Sequence, residues 1–163
     1  MTINPNHLCL LLGSNIDPVE NLNKSINLLN DDIATKILKC SSVWESRSIG
    51  YDGANFLNAV VEIETNLSTG EFKTQVIKRI EKDLNRIRTE NKNSPRTIDI
   101  DILTINSEII DQEIWEFAHI SAPLSELYPD LINQKNKKQL KVISAALVKD
   151  QSISIRSEVK LNL

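Results

Sequence analysis

The sequence predicts a single α+β domain of ferredoxin-like type, an antiparallel sheet with helices packed on one face. Three observations predict it. The hydrophobic pattern runs strand, helix, strand, strand, helix, strand, which is the split β-α-β order of that architecture. Residues 97–105, TIDIDILTI, alternate strictly, as a half-buried strand does. Residues 68–84 join a helix-start signature to apolar residues at helical spacing. A length of 163 residues, 40% hydrophobic and 25% charged, suits one globular domain. The domain is expected over residues 1–150, with 151–163 as a C-terminal tail and candidate extra strand.

Each element has its own signal. The apolar run LCLLL at 8–12 reads as a buried strand that ends in the tight turn Gly13-Ser14-Asn15. Pro18 suits the first turn of a helix over 18–30, with Asp17 as N-cap and Val19, Leu22, Ile26 and Leu29 on one face. Residues 36–46 alternate as a second strand, and 47–55, with two glycines, form a loop. A third strand, 56–64, puts Phe56, Asn58, Val60, Glu62 and Glu64 on one face and Leu57, Ala59, Val61 and Ile63 on the other. Ser68 and Glu71 make the capping box of a helix over 69–85, whose core face is Phe72, Val76, Ile77, Ile80 and Leu84. Beyond residue 111 the pattern supports a helical turn near 124–128 and a helix over 139–149. The tail alternates again at Ile153, Ile155, Val159, Leu161 and Leu163, as an edge or exchanged strand would.

Composition excludes several function classes. Lys and Arg total 19 against 22 Asp and Glu, a net charge of −3, where a general nucleic-acid binder carries a basic excess. A ferredoxin-like RNA-binding domain would need paired aromatics on a basic sheet face, and these strands offer Phe56 and two aspartates. No apolar run is long enough for a membrane span. Met1 to Asn6 has no basic region followed by an apolar stretch, so no signal peptide is expected. Cys9 and Cys40 both lie in strand-like runs and read as reduced core residues of a cytoplasmic protein.

Charge is unevenly distributed. Arg86, Arg88, Lys92 and Arg96 face one acid, Glu90, within residues 86–96. This is either a solvated basic loop or a local anion site, for example for phosphate. Directly after it, Asp99 and Asp101 project from one face of a strand, about 7 Å apart by the strand rise. Two such acids form either a wet polar face or a pair of oxygen ligands for a hard divalent cation such as Mg²⁺, which completes its shell with water and phosphate. Acids for magnesium beside arginines for phosphate are recurring parts of phosphoryl transfer. No P-loop or kinase-type glycine loop is present.

The stretch Pro95-Arg96-Thr97-Ile98-Asp99-Ile100-Asp101-Ile102-Leu103 resembles the signature of the 6-hydroxymethyl-7,8-dihydropterin pyrophosphokinase family of folate biosynthesis. Gly13-Ser14-Asn15, Phe56-Leu57-Asn58-Ala59-Val60-Val61, Ile80-Glu81 with Arg86-Ile87-Arg88, Ala118-His119 and Pro123-Leu124-Ser125-Glu126-Leu127-Tyr128-Pro129 extend the resemblance over about residues 8–148. It implies transfer of diphosphate from ATP to the pterin hydroxymethyl group, with release of AMP. By position, Asp99 and Asp101 would bind two Mg²⁺ ions. Arg86, Arg96 and His119 would contact ATP phosphates or transferring charge, with Arg88 near the same path. Asn58 would pair with the pterin's amide edge, Phe56 would stack on its ring, and Gly50 would line the substrate loop. As plain structure, His119 reads as a loop histidine and Phe56 as core. ATP and a hydroxymethyl-dihydropterin are then the expected partners of a monomer or homodimer.

The chain also departs from that pattern. Asn93-Ser94 stand where Trp-Gly is usual, Arg47-Ser48 where prolines are usual, and Asn85 where glycine precedes the Arg-x-Arg pair. Between His119 and Pro123 only Ile120-Ser121-Ala122 remain of a longer stretch that carries a second stacking aromatic and an arginine for ATP. Trp44 and Trp115 are the candidate replacement aromatics, although each also reads as core. The alternative reading is a degenerate homologue that binds nucleotide or pterin without turnover.

Overall fold

A computed structural model describes residues 4–50 and 52–163 of the chain. The signal-peptide reading above falls partly on residues 1–3, outside the described residues. The strands are β1 (Asn6–Ser14), β2 (Thr35–Cys40), β3 (Trp44–Ser46), β4 (Phe56–Thr65), β5 (Asp99–Ile105), β6 (Glu108–Ile109) and β7 (Ser154–Ile155). They form one antiparallel sheet in the order β6-β5-β1-β4-β3-β7, with β2 also paired to β4. The helices are α1 (Pro18–Asp31), α2 (Thr69–Glu71), α3 (Lys78–Asp83), α4 (Ala118–Leu127) and α5 (Leu140–Gln151).

The period-2 pattern of the central strands sets the two faces of the sheet. On one, Leu8, Leu10 and Leu12 of β1 meet Leu57, Ala59, Val61 and Ile63 of β4. Leu22, Ile26 and Leu29 of α1 cover them together with Phe72, Val76, Ile77 and Ile80. This is the expected helical layer. Burial of each such Leu or Ile is worth roughly 1.5–3 kcal/mol, so this layer outweighs any set of surface pairs.

The opposite face is not left to solvent. Cys9, Leu11, Val60 and Leu103 bury against Ile114, Ile120, Leu124 and Leu140, so α4 and α5 form a second, smaller layer there. The short α4 and its Pro123 had hidden this layer in the sequence. The helix expected only near 124–128 begins at Ala118, and His119 lies in its first turn, not in a loop.

Four further elements differ from expectation. Asp17 precedes α1 but sits in the left-handed region at φ 42° with no side-chain cap. Its carbonyl receives the Asn21 N–H at 2.9 Å, while Val19 is exposed and Asn21 is buried, bonding the Ile16 carbonyl at 2.6 Å. The strand expected over 36–46 is broken into β2 and β3 at Ser41. There the Ser41 N–H still bonds the Val60 carbonyl at 2.9 Å, but the return bond from Val60 N–H goes to the serine hydroxyl at 2.9 Å, which itself donates to the Ser42 carbonyl at 2.8 Å. The helix over 69–85 starts with the expected capping box, Ser68 with Glu71. However, residues Phe72–Ile77 are π-helical. Thr74 there back-bonds the Gly70 and Glu71 carbonyls at 3.0 and 3.2 Å, competing with the α ladder. In β5 the strict alternation slips at Leu103, where the β1 partner register steps from Thr104 to Ile102.

The helix ends as its sequence requires. Arg86 N–H bonds the Glu81 carbonyl at 2.9 Å and Asn85 N–H bonds the Lys82 carbonyl at 3.0 Å, a Schellman closure around a left-handed Asn85 at φ 57°. This turn sends the chain back so that Arg86 faces the sheet. Asn85→Gly is therefore expected to preserve or raise the urea midpoint, and Asn85→Ala to cost about 1 kcal/mol.

The tail contributes only β7 as strand, paired to β3 through Trp44–Ile155 and Glu45–Ser154. Val159 and Leu161 beyond it pack on the first core. Cys9 and Cys40 are free thiols, Cys9 buried and Cys40 half-buried. Among the described residues no helix is long and apolar enough to cross a membrane.

Candidate active site

At one end of the sheet, beside the start of α4, a cavity of about 360 Å³ is lined by residues from seven separate segments, among them Leu11 and Gly13 of β1 and Asp111 and Glu113 after β6. β5 supplies Asp99 and Asp101. β4 supplies Phe56 and Asn58. The start of α4 supplies His119, preceded by Phe117. Ser46, Arg47 and Ile49 follow β3, and Lys92, Asn93 and Arg96 precede β5. The sheet pattern explains the convergence: Phe56, Asn58, Asp99 and Asp101 are the polar-face positions of their strands.

Two backbone features make room for it. A Cβ on Gly13 would stand 3.1 Å from Asn58 Oδ1, so glycine keeps the floor open. Gly50 has φ 68°, and a Cβ there would stand 2.6 Å from Asn93 Nδ2. Gly50, expected at the substrate, is not itself a lining residue but abuts Asn93, which is one. Asn15, in the turn after β1, staples the walls. Its side chain accepts from Arg96 N–H at 2.8 Å and donates to the Ala54 carbonyl at 3.2 Å.

The two ends of the basic segment, Arg86 and Arg96, are tied into the fold, while residues 87–93 between them are exposed, as in a solvated loop. Arg86 bonds Glu81 and Asp99 together, and Arg96 bonds Asp99. Arg88 reaches the other Glu81 oxygen at 2.7 Å. Glu81 also accepts the Ile100 N–H at 3.3 Å. Its side chain is 5% exposed and that of Arg86 is 10% exposed, so this network is fixed inside the fold. Arg96 also lies 5.8 Å over the Phe56 ring, a cation–π distance. Phe56 is therefore half-buried at the cavity rather than simply core.

Negative charge accumulates at Asp101. Withdrawal from bulk water in the concave site, then the neighbouring Asp99, push its carboxyl up to about 6; Asp111 and Glu81 add and Arg86 opposes. Burial pushes the His119 imidazole down to about 4, with Asp111 acting the other way. His119 is thus neutral near pH 7. Asn58 is buried and donates to Ser46 Oγ at 2.9 Å.

Sequence reasoning missed Asp111, Glu113 and Phe117, all of which line the cavity. The candidate replacement aromatics lie elsewhere: Trp44 donates its indole N–H to Glu126 at 2.6 Å, and Trp115 packs on the second core. Phe117 is the aromatic that reaches the cavity, tilted against His119 with ring centroids 5.6 Å apart. Its spacing of two residues before His119 was the available signal.

The family model of 7,8-dihydro-6-hydroxymethylpterin-pyrophosphokinase (HPPK) matches residues 9–129, which span β1, the cavity-lining strands and α4. The chain belongs to the HPPK family. Among HPPK relatives, the 2-amino-4-hydroxy-6-hydroxymethyldihydropteridine pyrophosphokinase of Bacillus subtilis strain 168 is 38% identical over 128 residues, covering 72% of this chain and 75% of that protein. The protein of the same name from Aquifex aeolicus is 34% identical over 140 residues, covering 80% and 85%. A crystal structure of wild-type Plasmodium falciparum HPPK-DHPS with pterin and p-hydroxybenzoate matches at TM-score 0.70 and 13% identity. It covers 93% of this chain and 44% of that one, so the chain spans under half of that longer protein. That likeness concerns the HPPK fold alone.

Proposed function

We propose that the protein transfers diphosphate from ATP to the hydroxymethyl group of 6-hydroxymethyl-7,8-dihydropterin and releases AMP, in the cytoplasm. One observation carries the reading most. A single cavity brings together paired carboxylates and an arginine, Asp99, Asp101 and Arg96, with an aromatic and a buried amide, Phe56 and Asn58. The first set suits a metal-bound polyphosphate and the second a flat, hydrogen-bonding ring. Every residue invoked comes from one chain, so either a monomer or a homodimer would serve.

Asp99 and Asp101 offer the hard oxygen donors that Mg²⁺ prefers. The raised Asp101 carboxyl marks a concentration of negative charge that a divalent cation would neutralise. Among the described residues no cluster of three or more metal-ligating side chains occurs, so water and phosphate oxygens would complete the shell of the two ions proposed. When bound, such ions would offset phosphate charge and fix the polyphosphate's geometry.

The chain's own residues do the remaining work. Arg96 lines the cavity beside Asp99 and would stabilise the charge that shifts during transfer, while Arg86, not itself a lining residue, would act from behind through its pair with Asp99. Arg88, exposed at its tip, extends the same path. His119, neutral, donates an N–H to a phosphate oxygen without adding charge. Asn58 and Ser46 read the ring's amide edge, Phe56 stacks on its face, and the 47–50 stretch with Gly50 closes its side. Phe117 takes the place of the missing second aromatic. Phe117→Ala is expected to raise the KM for the pterin about fivefold with little change in kcat.

A coupled AMP-release assay with purified protein, the dihydropterin and Mg-ATP tests the proposal. Pterin-dependent AMP above background supports it. AMP formation no faster than in the no-enzyme control rejects it.

A further inference from the structure

The C-terminal tail lies beyond residues 9–129, where the family match ends, yet it is tied to the cavity wall. Arg156 N–H bonds the Val43 carbonyl at 2.8 Å as β7 pairs with β3. Its guanidinium donates to Glu45 Oε2 at 2.7 Å and to Glu158. The other Glu45 oxygen, Oε1, accepts from Asn55 Nδ2 at 2.9 Å.

These bonds join the two ends of one stretch. Glu45 immediately precedes Ser46 and Arg47, and Asn55 immediately precedes Phe56, all three of them cavity-lining residues. The Glu45 carboxyl is held below the usual carboxylate range by Asn55 first and then Arg156, so it remains an acceptor for both across neutral pH. The tail is anchored in turn. Asn162 N–H bonds Asn23 Oδ1 on α1 at 2.8 Å, and Val159 and Leu161 pack on the core. A long substrate-side segment is thereby clamped at its base by a residue far away in sequence.

We propose that Arg156 is a positioning residue for the pterin side of the cavity, acting through Glu45 and Asn55 on Ser46, Arg47 and Phe56. This rests on the function proposed above. Arg86, Arg96 and Asp99 pair with one another and not with Glu45, Asn55 or Arg156, and only Arg96 touches the pterin side, over the Phe56 ring, so the effect should fall mainly on the pterin.

The experiments use the full chain. Arg156→Ala is expected to raise the KM and Kd for the dihydropterin about tenfold, with the KM for ATP and turnover at saturating pterin within about twofold. Arg156→Lys, which keeps the charge but not the fork, restores part of the affinity. Glu45→Ala reproduces the defect, and the double variant is no worse than either single change. Trypsin cleavage after Arg47, followed by mass spectrometry relative to Lys135, is expected to be several-fold faster in Arg156→Ala.

Unchanged pterin affinity together with unchanged cleavage at Arg47 would overturn the proposal. A lowered melting temperature with both KM values rising in parallel would mark a merely structural role and also overturn it. If Arg156→Ala accelerates cleavage at Arg47 in a protein whose wild type releases no AMP, the clamp stands and the function it rests on fails.

Discussion

Asp101→Asn is expected to lower diphosphate transfer by about a thousandfold while making the metal-free protein more stable at pH 7. The substitution keeps the shape of the side chain but removes the charge proposed to bind Mg²⁺. The stability effect follows from proton linkage. The Asp101 carboxyl is pushed up to about 6 in the folded chain from an ordinary value of 3.8. Between these values the folded state binds more protons than the unfolded state, so stability falls as pH rises through that window. The penalty is complete above pH 6 and absent below the unfolded value.

An amide carries no such penalty. Asp101→Asn should exceed the parent by about 1 kcal/mol at pH 7, a figure reduced because solvent reaches this side chain. The two should converge near pH 4. AMP release and urea denaturation in chelator at both pH values measure the two halves. Retained wild-type turnover would refute the metal role, and a variant less stable than the parent at pH 7 would refute the electrostatic account.

Glu81→Ala is the second large effect. The carboxylate holds Arg86, Arg88 and the Ile100 N–H from inside the fold. Removing one partner of a buried pair leaves the other charge uncompensated, which costs roughly 3–5 kcal/mol. Arg88 is largely exposed and can rehydrate; Arg86, 10% exposed, cannot. Urea denaturation should place the loss near the lower end, about 3 kcal/mol, because Arg86 keeps Asp99 as a partner. The same variant should lose turnover more steeply than pterin affinity if Arg86 serves the phosphate side as proposed. A loss below about 1 kcal/mol, the scale of a surface pair, would contradict the buried network.

These two residues show what the sequence disclosed and what it hid. Asp101 was legible because period-2 alternation places it opposite three isoleucines, and the basic segment before it supplied the chemical context. Glu81 appeared only as one residue of a motif. Its bonds to Arg86 depend on the turn at Asn85, and helical periodicity says nothing of where a chain goes after its helix ends. The central strands and first helical layer were legible for the same reason as Asp101: long apolar patterns with one period. The second layer was not, because α4 is short, contains Pro123 and buries small residues such as Ala118, Ser121 and Ala122. Phe117 was hidden with it. Its reach into the cavity depends on where α4 begins. The break between β2 and β3 depends on a single serine hydroxyl, which competes with the backbone in a way that alternation cannot register.

The direct run of α4 from His119 through Ile120, Ser121 and Ala122 to Pro123 has a kinetic consequence. A side chain in the first turn of a packed helix keeps its direction whether or not a ligand is present. Little conformational entropy is then lost when a phosphate meets it. Long loops that close over substrates must order on each cycle, and their opening often limits product departure. On the proposed function, the start of α4 would need no such ordering at this wall of the cavity, and exchange of substrate and product there would be set by diffusion and side-chain motion.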